Sequence, residues 1–408
     1  MNNRQELKIA MLGHKRIPSR EGGIEIVVEE LAERMVKLGN DVTCYNRRGH
    51  HVSGKEYDTE QIEEFNGISI KSVFTINKKG LAAMTSSASA ALCAALGPYD
   101  IIHFHAEGPC AMLWLPKLFG KHCIVTVHGL DHQRAKWGKF ARTYIMAGER
   151  CAIKHADRVI VLSHDMQNYF RYIYGRETDY IPNGVNRPII RKADLISQRY
   201  GLEKDSYILF LGRIVPEKGL RYLIEAFQKV KTDKKLVIAG GASDTDEYLN
   251  ELKGIAAEDK RIIFTGFVRG LLLDELYSNA YLYTLPSDLE GMPLSLLEAM
   301  SYGNCCVVSD IPECAEVVRD KAILFRKSDT EDLHDKLQKA CEDTETVNKL
   351  KAQAADYICN KYRWEDTVNR TLSIYKQCIP EPEDAIAGYL VPNANPIQLR
   401  QQAGNMRA

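Results

Sequence analysis

The chain carries no surplus of charge, since 54 Lys+Arg balance 54 Asp+Glu over 408 residues. A neutral balance removes the basic footprint expected of a nucleic-acid partner. The halves differ only slightly, with 24 Lys+Arg against 20 Asp+Glu in residues 1–185 and 30 against 34 thereafter. No apolar run approaches the ~18–20 residues of a spanning helix. The opening "MNNRQELKIAMLGHKR" passes from a polar leader into a strand pattern, so no secretory segment is expected. Eleven cysteines are scattered without a C-x-x-C pair, and only Cys305 and Cys306 are adjacent. Such an odd set argues against a disulfide framework and fits reduced thiols in a cytoplasmic protein.

What is present is the composition of an ordinary globular protein, 45% hydrophobic and 26% charged. At this length one core gives way to two domains. Two stretches share a design. "LKIAMLGHKRIPSREGGIEIVVEELAERMVKLG" reads as strand, glycine-containing loop and helix, with Val27, Leu31, Met35 and Leu38 on one face. "YILFLGRIVPEKGLRYLIEAFQKV" repeats that order, with Leu220, Leu223, Ile224, Phe227 and Val230 as its stripe. Short apolar runs follow each unit: "DVTCY", "DIIHFH", "CIVTVHG" and "RVIVLS", then "KLVIAGG", "RIIFTGF", "AYLYTLPS" and "CCVVSD". Strands alternating with helices predict an α/β protein of two doubly wound, Rossmann-like domains facing a cleft. The expected division is a first domain over 1–185 and a second over 186–361, with Pro182, Asn183, Gly184 and Pro188 breaking the chain between them. A last amphipathic helix, about 362–378, is expected to pack back on the first domain, and 379–408 reads as a flexible tail.

Ligands of doubly wound sheets bind beyond the carboxyl ends of strands. "LFLGRIVPEKG" puts Arg213 just after a strand and Lys218 just before a helix, where two cations can clamp a diphosphate or simply be solvated. In "SDLEGMPLSLLEAMSYG", Glu290 precedes a helix that Pro293 suits in its first turn, and Glu298 lies more than a turn inside it. These are either two surface acids or two acceptors aimed at a polyhydroxylated ligand. Gly22 and Gly23 in "EGGIE" allow close backbone approach at a helix start, although that loop matches neither the P-loop nor the G-x-G-x-x-G pattern. His128 ends a strand in "TVHGLDHQRAKWGKFAR" as either a structural histidine or a polar contact to substrate. In the same stretch Trp137, Phe140, Ala141 and Tyr144 fall at helical spacing among Arg134, Lys136, Lys139 and Arg142. Such a basic amphipathic helix suits a membrane surface or an acidic acceptor, or else packs its aromatic stripe on the sheet. "HFH" (His103, His105) has no third metal ligand nearby in sequence.

Assembled in this order, "GGIE", "VHGLD", "IPNGV", "GRIVPEKGLRYLIEAF", "FTGFV" and the 287–303 segment make the chain resemble glycosyltransferase family 4, with the GT-B fold, over nearly its whole length. The resemblance implies retaining, metal-independent transfer from a nucleotide-diphosphate sugar, with no cofactor. It assigns Arg213 and Lys218 to the donor diphosphate, Glu298 to the ribose, and Glu290 to the donor sugar. It also places Gly266, Phe267 and Val268 at the base, Gly22 and Gly23 over the phosphates, and His128 near the sugar. Arg213, Lys218, Glu290 and His128 thereby become the catalytic set. Many members have Gly-Phe-Gly after the first acid. Here Gly291-Met292-Pro293 removes one N–H, leaving Met292, Leu294 and Ser295 as amide donors.

The basic stretch is most similar to members that build bacterial surface polysaccharides, including rhamnosyltransferase-like ones. It points to a glycan or lipid-linked acceptor on the side of Arg134, Lys136, Trp137, Lys139 and Arg142, with peripheral contact to the inner face of the plasma membrane. "DTD" (Asp244 to Asp246) resembles the metal-binding aspartates of another glycosyltransferase class but falls in a polar loop, so no metal is expected. A sugar-nucleotide epimerase on the same fold and a non-catalytic carbohydrate-binding protein are the rival readings.

Overall fold

A computed structural model describes residues 6–49, 62–78, 80–134, 137–242 and 245–379. Its first sheet comprises β1 (Lys8–Leu12), β2 (Asp41–Arg47), β3 (Glu64–Phe65), β4 (Ile68–Val73), β5 (Ile101–His105), β6 (His122–Val127), β7 (Arg158–Val161) and β8 (Asp179–Tyr180). The second comprises β9 (Tyr207–Leu211), β10 (Lys235–Ala239), β11 (Ile262–Gly266), β12 (Leu282–Leu285), β13 (Cys305–Ser309) and β14 (Ile323–Phe325). Spatial order is β3-β4-β2-β1-β5-β6-β7-β8 in one and β11-β10-β9-β12-β13-β14 in the other. Every pairing is parallel except the β3–β4 hairpin at one edge. The second order is that of a dinucleotide-binding sheet, 3-2-1-4-5-6, whose switch point lies between its first and fourth strands. Here those are β9 and β12. The matching point of the first sheet lies between β1 and β5.

Burial explains why these strands read as unbroken apolar runs. Ile9 and Met11 point to the helix Gly23–Lys37 on one face, and Ala10 and Leu12 pack with Ala90, Ala91 and Phe104 on the other. A strand covered on both faces has no solvent side to make polar. Of the two predicted helical stripes, Leu38 is the misfit: it caps its helix and is 40% exposed. The helix Leu220–Lys229 buries Leu220, Leu223, Ile224 and Phe227 completely. Each such side chain contributes roughly 1.5–3 kcal/mol.

The last helix, Trp364–Cys378, leaves the second domain and packs on the first. Trp364, Val368, Leu372 and Tyr375 join the core of β1 and the helix Gly23–Lys37. Val185 N–H donates to the Tyr362 carbonyl at 2.9 Å, and the Thr367 hydroxyl donates to the Pro182 carbonyl at 2.9 Å. The two crossings between domains are therefore laced side by side. Residues 380–408, the bulk of the expected tail, lie outside the described residues. No helix among the described residues is long and apolar enough to cross a membrane. The eleven cysteines are all free thiols.

Candidate active site

The carboxyl edges of β9 and β12 bring Arg213, Lys218 and Glu290 together. After β9 the chain turns through a 3₁₀ segment, Pro216–Lys218, into the helix Leu220–Lys229. Gly219 joins them with φ +68°, and a Cβ there would lie 2.0 Å from the Pro286 carbonyl oxygen, so only glycine lets the two loops meet. Asp288 N–H, donating to the Glu217 carbonyl at 2.9 Å, locks that contact. In consequence Lys218 Nζ lies 2.5 Å from Glu290 Oε1, both side chains being about nine-tenths buried. Ser287 donates to the same oxygen at 2.6 Å. Burial pushes the Glu290 carboxyl up, but the Lys218 ammonium and the Ser287 hydroxyl outweigh it and hold the acid below the usual range.

Arg213 is less well served. Among the described residues no carboxylate lies within ion-pair distance of its guanidinium. Burial and the neighbouring Arg134 cation both lower its pKa. Arg134 comes from the first domain. It pairs with Asp131 at 2.7 Å and lies 3.5 Å from Glu217 across the cleft. Burial works against its charge, yet Asp131, Glu290 and Glu217 more than restore it. This corrects the sequence expectation, which put Arg134 on an outward basic face with Lys139 and Arg142. The helix predicted through 132–144 begins only at Lys139, after a 3₁₀ turn Asp131–Gln133. The break carries Arg134 into the cleft. Its expected aromatic stripe is not the buried face either: Phe140 is 75% exposed, and Ile145, Gly148, Glu149 and Ala152 pack inward. Trp137 is partly buried before the helix, and Lys136 lies outside the described residues.

The helix Leu294–Ser301 aims its N-terminus at the same place. Pro293 is its cap rather than its first residue, and the N–H groups of Leu294 and Ser295 have no acceptor inside the helix. Leu294 also touches the other domain: a Cβ on Gly23 would lie 3.5 Å from its Cδ1. Gly23 thus faces this helix from the start of Gly23–Lys37, and Gly22, its cap, lies against the Glu25 carboxylate. Met292 is buried, and its sulfur accepts from Asn183 N–H at 3.1 Å. Glu298 sits one turn deeper, accepting from the Tyr277 hydroxyl at 3.1 Å. Burial raises its pKa despite the Arg20 cation and that hydrogen bond. Gly266, Phe267 and Val268 lie at the carboxyl end of β11, Gly266 with φ +72° and exposed.

From the first domain, His128 reaches the site through its backbone. A Cβ on Gly291 would lie 1.8 Å from the His128 carbonyl oxygen, so the domains touch where only glycine fits. The His128 ring lies in a column of imidazoles. His128 Nε2 is 3.0 Å from His105 Nδ1, and the His105 and His103 ring centroids are 4.1 Å apart. Both nitrogens of His103 are occupied, by Tyr375 at 2.6 Å and Thr126 at 2.8 Å. Burial lowers His128 to about 4 and His103 to about 3, so the column is neutral at pH 7. The sequence reading missed Arg134 as a cleft residue, and it missed Glu217 and His105. "HFH" and "PEK" held the signal, but only adjacency across strands gives it meaning. Of "DTD", Asp244 lies outside the described residues and Asp246 opens the helix Asp246–Ala256.

Two family models account for both halves of this arrangement. Residues 21–187 match Glycosyltransferase Family 4, and residues 193–357 match Glycosyl transferases group 1. The chain belongs to the GT4-type glycosyltransferases of GT-B fold. An uncharacterised glycosyltransferase, MJ1607, of Methanocaldococcus jannaschii is 26% identical over 91% of this chain and 98% of its own. The UDP-Gal:alpha-D-GlcNAc-diphosphoundecaprenol alpha-1,3-galactosyltransferase of Escherichia coli is 27% identical over 68% of this chain and 75% of its own. Among solved structures, sucrose-phosphate synthase from Thermosynechococcus elongatus superposes with a TM-score of 0.78 at 22% identity, covering 91% of this chain and 99% of that one. Anabaena HepE in complex with UDP-glucose gives 0.75 at 17%, over 91% and 100%. As a glycosyltransferase of this type, the chain transfers a sugar from a nucleotide-activated donor.

Proposed function

We propose that this glycosyltransferase is a retaining, metal-independent enzyme that passes a sugar from a nucleotide-diphosphate donor to a glycan or lipid-linked acceptor in bacterial polysaccharide synthesis. The observation that carries it is the positive charge gathered at Arg213, which has no carboxylate at ion-pair distance among the described residues, beside Arg134 and next to the buried Lys218–Glu290 pair. A partly buried guanidinium with no paired acid is open to a charged partner, and a diphosphate accepts its hydrogen bonds two at a time. Glu290 then takes sugar hydroxyls and Glu298 the ribose, with Gly266 to Val268 beside the base. The backbone amides of Leu294 and Ser295 add to the phosphate cradle. Met292 lines the loop with its buried side chain, and Gly22 and Gly23 cover the phosphates. The named activity of the Escherichia coli relative, transfer to a diphosphoundecaprenol-linked sugar, supports the acceptor class. Phe140 beside Lys139 and Arg142, with Trp137 before them, supports acceptor or peripheral membrane contact on that face.

The chemistry is departure of the nucleoside diphosphate with attack from the same face of the anomeric carbon. Negative charge grows on the phosphate oxygens, where fixed cations and amides stabilise the transition state more than the ground state. The departing phosphate takes the acceptor proton, and the neutral His128 hydrogen-bonds the sugar. A panel of UDP-, GDP-, ADP- and dTDP-hexoses tests this through nucleoside diphosphate release and the anomeric configuration of the product by NMR. Lys218→Ala is expected to lower kcat by about 10²–10³-fold with an unchanged circular dichroism spectrum. A donor isomerised with no acceptor present would identify an epimerase. Inversion at the anomeric carbon would remove the same-face mechanism.

A further inference from the structure

Behind the loop that carries His128 lies a second cluster of ionisable groups that the donor site does not use. Among the described residues, Glu107, His132 and Glu149 alone form a set of three whose ligating atoms lie within 4.8 Å of one another. Glu107 follows β5, His132 is in the 3₁₀ turn Asp131–Gln133, and Glu149 is on the helix Lys139–His155. The two acids are 0% and 1% exposed. Each carboxylate has one oxygen held from outside the cluster. Asp131 N–H donates to Glu107 Oε2 at 2.8 Å, and the hydroxyls of Tyr169 and Tyr174 donate to Glu149 Oε1, the former at 3.0 Å. The other oxygen of each, Glu107 Oε1 and Glu149 Oε2, is buried without a well-aligned hydrogen-bond partner, and so is His132 Nδ1. These three atoms converge: His132 Nδ1 is 3.2 Å from Glu149 Oε2 and 3.9 Å from Glu107 Oε1.

Buried polar atoms in native proteins are satisfied. Burial and the contact with Glu149 push the Glu107 carboxyl up to about 11, so without an ion a proton is shared between the two acids, and a cation at the point where the three atoms meet would displace it. Hydrogen bonds to the far oxygens fix both carboxylates with their free oxygens inward, as outer hydrogen bonds orient metal ligands. One imidazole and two carboxylates form a donor set for a divalent first-row cation, at about 2.0–2.2 Å per bond. Drawing the three atoms onto such an ion requires shifts on the order of 1 Å or less. We propose that Glu107, His132 and Glu149 bind one divalent cation of the zinc or manganese class. The side chain of His132, 14% exposed, is the side from which the ion and a water ligand enter. The ion is a positioning element and not a participant in transfer, because it lies behind the reacting groups. It ties β5, the 128–134 loop and the helix Lys139–His155 at one point. That loop also carries the His128 carbonyl that meets Gly291 and the Asp131–Arg134 pair.

The test uses the full chain, stripped with chelator and titrated separately with Zn²⁺ and Mn²⁺, with bound metal measured by mass spectrometry after gel filtration. The wild type is expected to retain one equivalent of at least one of these ions and to gain thermal stability with it. His132→Ala and Glu107→Gln are expected to lose that equivalent, or to bind at least about tenfold more weakly. His132→Ala removes a partly exposed side chain and keeps the question answerable if Glu107→Gln does not fold. A wild type that retains neither ion overturns the proposal. So does a His132→Ala protein that binds as the wild type does. Neither result depends on which sugar is transferred, so the metal question stands apart from the donor assay.

Discussion

Facing each other across the cleft, the edge of β9 and β12 presents Arg213, Lys218, Glu290 and Glu298, whereas the edge of β5 and β6 presents His105 and His128. One side is a set of fixed ions. The other is a column of neutral rings, with Arg134 as the cation that reaches across. Ten of the eleven histidines precede residue 186, so the contrast extends beyond the site. Two sheets of like topology have thus been given different electrostatic tasks. Charge belongs where a leaving group develops charge, and a neutral donor or acceptor belongs where hydroxyls are handled.

The sharpest way to break this arrangement is to force the two sides apart. Gly291→Ala puts a Cβ 1.8 Å from the His128 carbonyl oxygen. It is expected to cut kcat/KM by about 10²-fold, the scale of a 1 Å misplacement. Small-angle scattering should show a more open particle; full activity would mean that the contact is not needed for turnover. Next in size is Arg134→Ala, which deletes a cation that the histidine side places beside Glu217 and Arg213. We expect kcat to fall by roughly 10–100-fold with donor affinity less affected, as for a charge that matters most in the transition state. A change in KM alone would make it a binding residue.

Acid should separate the two domains. Burial lowers His14 and His128 to about 4 and His103 to about 3, from 6.5. Between those limits the unfolded chain binds more protons than the folded one. The stability these rings contribute is therefore complete above about pH 6.5 and is lost as pH falls toward 4. The melting temperature is expected to drop by roughly 10 °C from pH 7 to pH 5. Hydrogen exchange should show the loosening in β1, β5 and β6, since residues 186–361 hold a single histidine, His334. Equal loosening of both domains would sink the explanation. The smallest effect belongs to Glu298→Gln. It keeps the Tyr277 hydrogen bond and is expected to raise donor KM about tenfold or less with kcat nearly unchanged.

Much of the framework was readable before any coordinates. All eight short apolar runs flagged as strands became β2, β5, β6, β7, β10, β11, β12 and β13, because strands buried on both faces cannot alternate polarity. Short edge elements escaped: β3 and β8 have two residues each and β14 three, too few for any periodicity to register. The helix expected through 132–144 starts late although its spacing is amphipathic. Asp131 and Arg134 instead turn into the cleft before the helix begins. Arg213, Lys218 and Glu290 were visible because each lies between a strand and the helix after it, positions that local punctuation marks, and Glu298 because Pro293 marks the start of the helix that carries it.

By itself the sequence determined the two strand–loop–helix units, the parallel sheets and the positions of the cations and acids along them. Apolar periodicity and turn residues are local properties of the chain. Only the tertiary structure decided that Lys218 pairs with Glu290, that Arg134 crosses to Glu217, and that Glu107, His132 and Glu149 converge. Those partners lie up to 83 positions apart. What brings them within reach is strand order and the closure of one domain on the other, which no local pattern encodes.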